Sequence, residues 1–340
     1  MTIEKVLRAL NWHKIRATYG AVGQYLGIPA ISVSRLLGTR RPEASWVVSA
    51  TSGKPTGYEP QECHQDLESS SDILRSGEQL RSLITAQSNL EQSTDTRSDR
   101  RRIAGIDLAW QTQCNGSGIA IGQLSGNTLT LEKLHVGVVK LENVIQILES
   151  ASGIDGVAID APLIIDNHFG PRPCEAELNE VYRSRWAGCY PSNLSLYPDA
   201  MSVRLGNYLS TAGFAHLGNT TQGKWQIECY PHPTLIELFG LDKRLAYKKG
   251  TADQKRDGQV DLARLIKQLC ERHSLSLQVP GKHASLIDER HISSLKGQAL
   301  KDNEDGLDAI LCLYIAGLYA LNSEFRTFGS TDTGYIAVPV

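Results

Sequence analysis

Apolar and polar positions along the chain form two unequal patterns. In the first, Val6, Leu7 and Leu10 recur at helical spacing, Ala21–Leu26 predicts a short helix ended by Gly27 and Pro29, and Ile31–Leu37 predicts another stopped by Gly38. Short helices joined by a Gly/Pro turn make a helix-turn-helix pattern. The following WVVSATSGKPTGY predicts a strand, a turn and a return strand, which together would form a wing. From Arg102 the period changes. RIAGIDLAW is a buried-type strand, apolar but for Asp107 near its end; GIAIGQL and TLTLEKLHV predict antiparallel partners, entered through the polar turn QTQCNGSG and joined at Ser125-Gly126-Asn127. Leu141–Ser150 has the apolar spacing of a helix, and GVAIDAPL is another buried strand, ending in Asp160 and broken by Pro162. Trp225–Pro231 predicts a further strand, and DNEDGLDAILCLYIAGLYAL is the strongest helix of the chain. The expectation is an α/β fold, a mixed sheet flanked by helices.

Length and composition divide this pattern further. A chain of 340 residues, 41% hydrophobic, suggests about two domains. No apolar run approaches the roughly 18 residues of a membrane span. The start, MTIEKVLRALNWHKIRATYG, places Glu4, Arg8 and Lys14 where a secretory leader needs apolar residues, which predicts a cytoplasmic protein. Its seven cysteines, odd in number and scattered, read as reduced thiols. The net charge of -2 conceals a basic head, because residues 1–60 carry eight Lys/Arg against three Asp/Glu. Glu62–Asp95 reverses this, with seven acids against two arginines among Ser, Gln and Thr. The predicted organisation is therefore a helix-turn-helix head over 1–60 and a polar linker over 61–100 with one short helix near Ile73–Leu83. A catalytic-type domain over 101–330 follows, with an insertion at about 166–224.

Three acidic positions in three backbone contexts carry the candidate chemistry: Asp107 ends one strand, Asp160 ends another, and Asp305 and Asp308 stand at the predicted head of the long helix. A carboxylate inside an apolar strand is costly unless paired or metal-bound. Asp305 and Asp308, three apart, project from one helix face, and negative charge is favoured at a helix N-terminus. Hard divalent ions take oxygen ligands, Mg2+ needing few from the protein. Two such ions about 3.5–4 Å apart hold a scissile phosphate and activate water. Structural readings stand beside this one: Asp302 or Glu304 as caps, and Asp160 as an Asx turn before Ala-Pro.

Two resemblances sharpen the expectation. The run KIRATYGAVGQYLGIPAISVSRLLGTRRPEASWVVSATSGKPTGY resembles the winged DNA-binding part of the O6-alkylguanine-DNA alkyltransferase-like proteins. Where that family carries Pro-Cys-His-Arg, this chain has Glu43-Ala44-Ser45-Trp46, so Ala44 replaces the accepting thiol, and Ile31 falls near the position of the base-extruding arginine. Alkyl transfer is excluded without the nucleophile. What the resemblance still implies is a DNA-docking module, with Arg35, Arg40 and Arg41 toward phosphates. Further on, AIDAPL, RPCEAEL, GCYPSN, ECYPHPTLIELFGL, YKKG and LKDNEDGLDAILCLYIA, in that order between about Ile103 and Leu321, resemble the domain-of-unknown-function family numbered 429, a predicted branch of the ribonuclease-H-like nucleases. That resemblance implies a ribonuclease-H-like fold and a metal site at Asp107, Asp160, Asp305 and Asp308.

Other residues keep two readings each. Glu228 joins the acidic cage or binds a basic neighbour; His232 assists proton transfer or caps the next helix. Arg172, with Arg183 and Arg185, binds phosphate or serves as ordinary surface charge, and Lys248 and Lys249 contact phosphate or form a solvated turn. Cys229, His232, Cys174 and Cys189 would be a zinc set, without the paired C-x-x-C spacing. The expected function is a Mg2+- or Mn2+-dependent nuclease whose partner is nucleic acid, DNA before RNA, and not a membrane. A non-catalytic DNA-binding regulator on the same scaffold and an actin-like ATPase using NGSGIA as a phosphate loop are the alternatives.

Overall fold

The N-terminal spacing folds as α1 (Ile3–His13), with Val6, Leu7 and Leu10 buried. Strand β1 (Arg16–Thr18) leads into α2 (Tyr19–Leu26), whose first turn is capped by Thr18 Oγ1 accepting the Ala21 N–H. Gly27 ends α2 at φ 72°, and α3 (Ala30–Leu37) follows from Pro29. Strands β2 (Val47–Val48) and β3 (Ile73–Leu74) lie on either side of β1, both parallel to it. This corrects the expected wing. Among the described residues β2 is followed by turns rather than a returning strand: Gly53 and Gly57 take positive φ, and Pro55 has no N–H for a ladder. The computed structural model describes residues 3–67, 72–84, 100–110 and 116–340.

The stretch expected as a linker from residue 61 also folds into this unit. Leu67, Leu80 and Ile84 are buried with Val22, Tyr25 and Trp46, and α4 covers 77–84. The helix expected from Ile73 starts later because 73–74 pair with β1. A few apolar residues at the right spacing suffice to dock an otherwise polar segment. The remaining expected linker, 68–71 and 85–99, and the polar turn 111–115 lie outside the described residues.

The chain divides into two units, Met1–Ser98 and Asp99–Val340. The second is mixed α/β, built on a seven-stranded sheet. Its strands in chain order are β4 (Arg100–Asp107), β5 (Ser117–Ser125), β6 (Thr128–Val138), β7 (Ile154–Asp160), β8 (Phe214–His216), β9 (Lys224–Glu228) and β10 (Ser276–Gln278). They lie side by side as β10-β6-β5-β4-β7-β9-β8. β4 and β5, and β5 and β6, pair antiparallel; β7 is parallel to β4, and β9 to β7. Helices α5 (Leu141–Ser150), α6 (Pro173–Tyr182), α7 (Met201–Thr211), α8 (Pro231–Phe239), α9 (Ala252–Leu269), α10 (Glu289–Ser294) and α11 (Gly297–Ala320) surround it, and β11 (Phe325–Ser330) and β12 (Gly334–Pro339) form a hairpin packed on α6. The segment expected as an insertion carries α6, α7 and β8, and β8 extends the sheet beside β9. No helix of the described residues is long and apolar enough to cross a membrane.

Side-chain parity sorts the core into two layers. Ile103, Ala120, Ala158 and Ile227 pack with α9 and α11; Ala104, Ile106, Ile119, Val157 and Ile159 pack with α5 and α7. Glycine sets how closely α11 lies on its face. A Cβ on Gly105 would stand 1.9 Å from Leu313 N, and one on Gly118 would stand 2.2 Å from Asp305 O. Main chain rests on main chain at both crossings.

Candidate functional site

Parity places both strand-borne acids. Asp107 follows Ile103 and Gly105 on the α11 face of β4, and Asp160 follows Ala158 on the same face of β7, where the two acids are register neighbours. Gly118 lies opposite Asp107 on β5, and its missing side chain admits the main chain of α11 at Asp305. The strand ends and the helix thus bring Asp107, Asp160, Asp305 and Asp308 to one cleft.

The helix differs from expectation at its start. α11 begins at Gly297, with Lys296 as N-cap, because Gln298–Lys301 continue the helix upstream of the acids. Asp302 and Glu304 are therefore not caps, and Asp305 and Asp308 lie beyond the first turn, where the helix dipole no longer favours them. They are held by side chains instead. Asp308, fully buried, accepts a 2.6 Å hydrogen bond from Tyr247 Oη at Oδ1, and its Oδ2 lies 2.9 Å from Lys248 Nζ. The same ammonium is 3.9 Å from Asp160 Oδ2. Lys301 Nζ lies 2.7 Å from Asp305 Oδ1 and donates at 2.7 Å to Glu304, while among the described residues the buried Asp305 Oδ2 has no hydrogen-bond partner.

Two cavities meet at this cluster. One, of about 350 Å³, is lined by Asp107, Trp110, Tyr197, Lys248, Lys301 and Asp305. The other, of about 240 Å³, shares Asp107, Trp110 and Lys248 and adds Asp160, Tyr190, Tyr230, His232, Arg244 and Lys249. Acids and bases are balanced around them, with Asp107, Asp160, Glu304 and Asp305 against Lys248, Lys301, Arg244 and Lys249. Burial, with the neighbouring Asp308, Asp160 and Asp305, holds Asp107 well above the usual carboxylate range despite Lys248. Burial pushes Asp160 up to about 7, opposed by Lys248 and reinforced by Asp308 and Glu228; burial also lifts Asp305 to about 6 against the pull of Lys301. Burial disfavours the Lys248 charge, but Asp308, Tyr247, Asp107 and Asp160 outweigh it and keep the ammonium. Oxygen-only donors suit a hard cation. Among the described residues, no three His, Cys, Asp or Glu side chains stand ready to hold a metal ion; Lys248 sits between Asp160 and Asp308 instead.

Several expected participants are elsewhere. Glu228 has the parity of Gln226, opposite to Trp225, Ile227 and Cys229, which pack with α11, so it points away from the aspartates. It binds the basic neighbour: Arg172 donates to both its oxygens at 2.6 and 3.0 Å, and the Leu163 N–H donates at 2.9 Å. Arg172, 1% exposed, also donates to Glu175 and to Ile164 O, which corrects its reading as a phosphate ligand. Arg185 likewise donates to Glu237 and to the carbonyls of Leu241 and Asp242, whereas Arg183 is exposed. His232 does not cap α8, whose N-cap is Tyr230. It packs between Tyr230 and Tyr247, and burial with nearby Lys248 holds its imidazole well below the ordinary value, hence neutral. The zinc set does not assemble, since Cys229 is hydrogen-bonded with Cys312 while Cys189 donates to Glu175 O beside α6. Nor is the ATPase loop a loop from Ser117 onward, where it forms β5.

In the head, Arg35 is exposed on α3 and Arg40 is paired with Glu62 at 3.4 Å, while Arg41 is half-buried, its backbone N–H reaching Tyr58 Oη. Ala44 is buried in a 3₁₀ turn. Sequence reasoning passed over Lys301, Tyr247, Arg244 and Trp110. Lys301 had a usable signal, four residues before Asp305 on one helix face. A family model described as "Protein of unknown function (DUF429)" matches residues 105–329. No curated protein and no solved structure matches the chain.

Proposed function

The chain belongs to the DUF429 family, and from that premise and the acids gathered around Lys248 we propose a Mg2+- or Mn2+-dependent nuclease on a ribonuclease-H-like scaffold, with a DNA-docking head. The observation that carries the reading is the convergence of Asp107, Asp160 and Asp308 from two adjacent strand ends and one helix around the single ammonium of Lys248. An antiparallel β6-β5-β4 ladder continued by parallel β7 and β9 supports the scaffold. The donor set suits the ion: the carboxylates are hard oxygen ligands, and among the described residues the buried Asp305 Oδ2 has no partner.

Asp107, Asp160 and Asp308 would hold the ion, with Asp305 completing the set. When bound, the metal supplies charge neutralisation at a phosphate and an activated water. Tyr247 orients Asp308 by donating to Oδ1, leaving Oδ2 for a cation. Lys248, whose side chain is 28% exposed, is the resident cation; on a flexible stem it turns from the acids to a phosphate oxygen when the strand arrives. Lys301 tempers the charge of Glu304 and Asp305. In the head, α3 exposes Ile31, Arg35 and Leu36 for a DNA groove.

One observation favours a second reading. Lys248 and Lys301 already partner the acids, as they would in a regulatory protein that binds nucleic acid without cutting it. Cleavage of labelled DNA and RNA in Mg2+ or Mn2+ against chelator separates the two. The nuclease cuts only with metal, and Asp107→Asn lowers the rate by about 10²–10³-fold, the several kcal/mol of a lost metal ligand. A folded wild type that cuts nothing leaves the regulator.

A further inference from the structure

We propose that the strand entering this cleft is unpaired, its bases stacking on Trp110 and Tyr190 and its phosphates meeting Arg244, Lys248 and Lys249. The inference rests on the nuclease reading for its phosphodiester but not for its binding surface. Trp110 lies three residues after Asp107 and lines both cavities beside the carboxylates. Tyr197 braces that ring edge-on at 5.2 Å. Across the second cavity stands Tyr190, 67% exposed, with Lys249 Nζ donating to its hydroxyl oxygen at 2.9 Å and lying 5.1 Å from its ring centre.

The same chemistry continues outward. Arg244 lines the cavity and donates its N–H to Arg185 O at 2.9 Å, which brings the 243–249 segment against the loop after α6. At that junction Trp186 is 62% exposed, and Lys243 Nζ stands 4.4 Å from its ring centre. Trp186 also has φ 61°, a left-handed conformation that a bulky residue adopts at a cost. A folded chain ordinarily has no reason to keep a large indole in water by way of strained backbone. Aromatic faces interleaved with Lys243, Arg244, Lys248 and Lys249 make a surface that offers each nucleotide a ring and a cation.

A duplex cannot use it, because its base faces are already stacked on one another; an unpaired strand presents them. On arrival a base takes the Tyr190 face and the Lys249 ammonium turns to the adjoining phosphate. The carboxylates then meet a backbone stripped of its partner strand.

Fluorescence anisotropy with the full chain in chelator tests this without hydrolysis, using labelled oligothymidylate, oligouridylate and a duplex of equal length. Tyr190→Ala is expected to weaken single-strand binding by about 5- to 100-fold, the worth of one stacked base, and to leave duplex binding by the head unchanged. Lys249→Ala is expected to weaken single-strand binding and reduce its salt dependence. Equal thymidylate and uridylate losses assign the track to unpaired polynucleotide of either sugar; a loss for one alone narrows it to DNA or RNA. Single-strand affinity unchanged in both folded variants overturns the inference. Metal-dependent cutting alongside unchanged affinity leaves the nuclease reading standing and removes this one, and lost affinity in a protein that never cuts does the reverse.

Discussion

Two clusters in the large unit bring acids and bases together out of water, and they are built in opposite ways. Around Arg172, the guanidinium, the Leu163 N–H and the Ser192 N–H and hydroxyl supply donors to the oxygens of Glu228 and Glu175. The Arg172 backbone N–H closes the set by donating to Glu175 Oε2 at 2.9 Å. Around Lys248, by contrast, Asp107, Asp160, Asp305 and Asp308 share the lysines 248 and 301, and a buried carboxylate oxygen on Asp305 goes unbonded among the described residues. The first cluster ties α6, β9, the loop after β7 and the segment after α6 into one piece. The second divides its ammonium groups among the acids. Fully answered polar groups rigidify a fold, whereas acids that share one movable ammonium leave room for a competing cation.

Breaking each cluster therefore has different consequences. Arg172→Met has the largest expected effect: it leaves Glu228 and Glu175 buried without their cation and costs about 3–5 kcal/mol, read as a lower urea midpoint. Lys248→Met is expected to cost less, about 1–3 kcal/mol in chelator, because Tyr247 still serves Asp308. Mn2+ should then raise the melting temperature of Lys248→Met more than that of wild type, since the ion takes the vacated place. Equal increments would mean that lysine and metal do not compete. A third test is in pH. Burial raises Asp160 to about 7 and Asp305 to about 6, so between about pH 4 and 7 the native state keeps protons that the unfolded chain releases. Their contribution to stability is thus present at low pH and lost as pH rises through that window, each kcal/mol lowering Tm by about 2–4 °C. Asp160→Asn should flatten this slope, and Mn2+ should stabilise wild type more at pH 8 than at pH 5. The Arg172 cluster predicts no response to metal at either pH.

The same contrast explains what could be read from the chain. Asp107 and Asp160 announce themselves because each interrupts an apolar strand, and equal parity with Gly105 and Ala158 puts both on one face. Parity in WQIE also separated Glu228 from Ile227, but which face each strand turned to the long helix was fixed only by packing. The Arg172–Glu228 pair joins residues 56 apart in the chain and the Tyr247–Asp308 bond joins residues 61 apart, distances over which no local pattern reaches. Lys248, in a YKKG turn, had the sequence of a solvated loop and the position of a partly exposed counter-ion. In the head, α1, α2 and α3 were legible from spacing and turn residues. The missing return strand and the docking of 77–84 were not, because Leu80 and Ile84 look sparse in a polar run yet suffice once β1 gives them a surface.

Gly105 and Gly118 have a consequence beyond packing. With no side chain between α11 and the sheet at either crossing, the gap from the strand-borne aspartates to the helix-borne ones is gauged by peptide thickness alone. A single added methyl at either glycine would push the helix off the strands and misalign the acids. The cleft is calibrated by what two positions leave out.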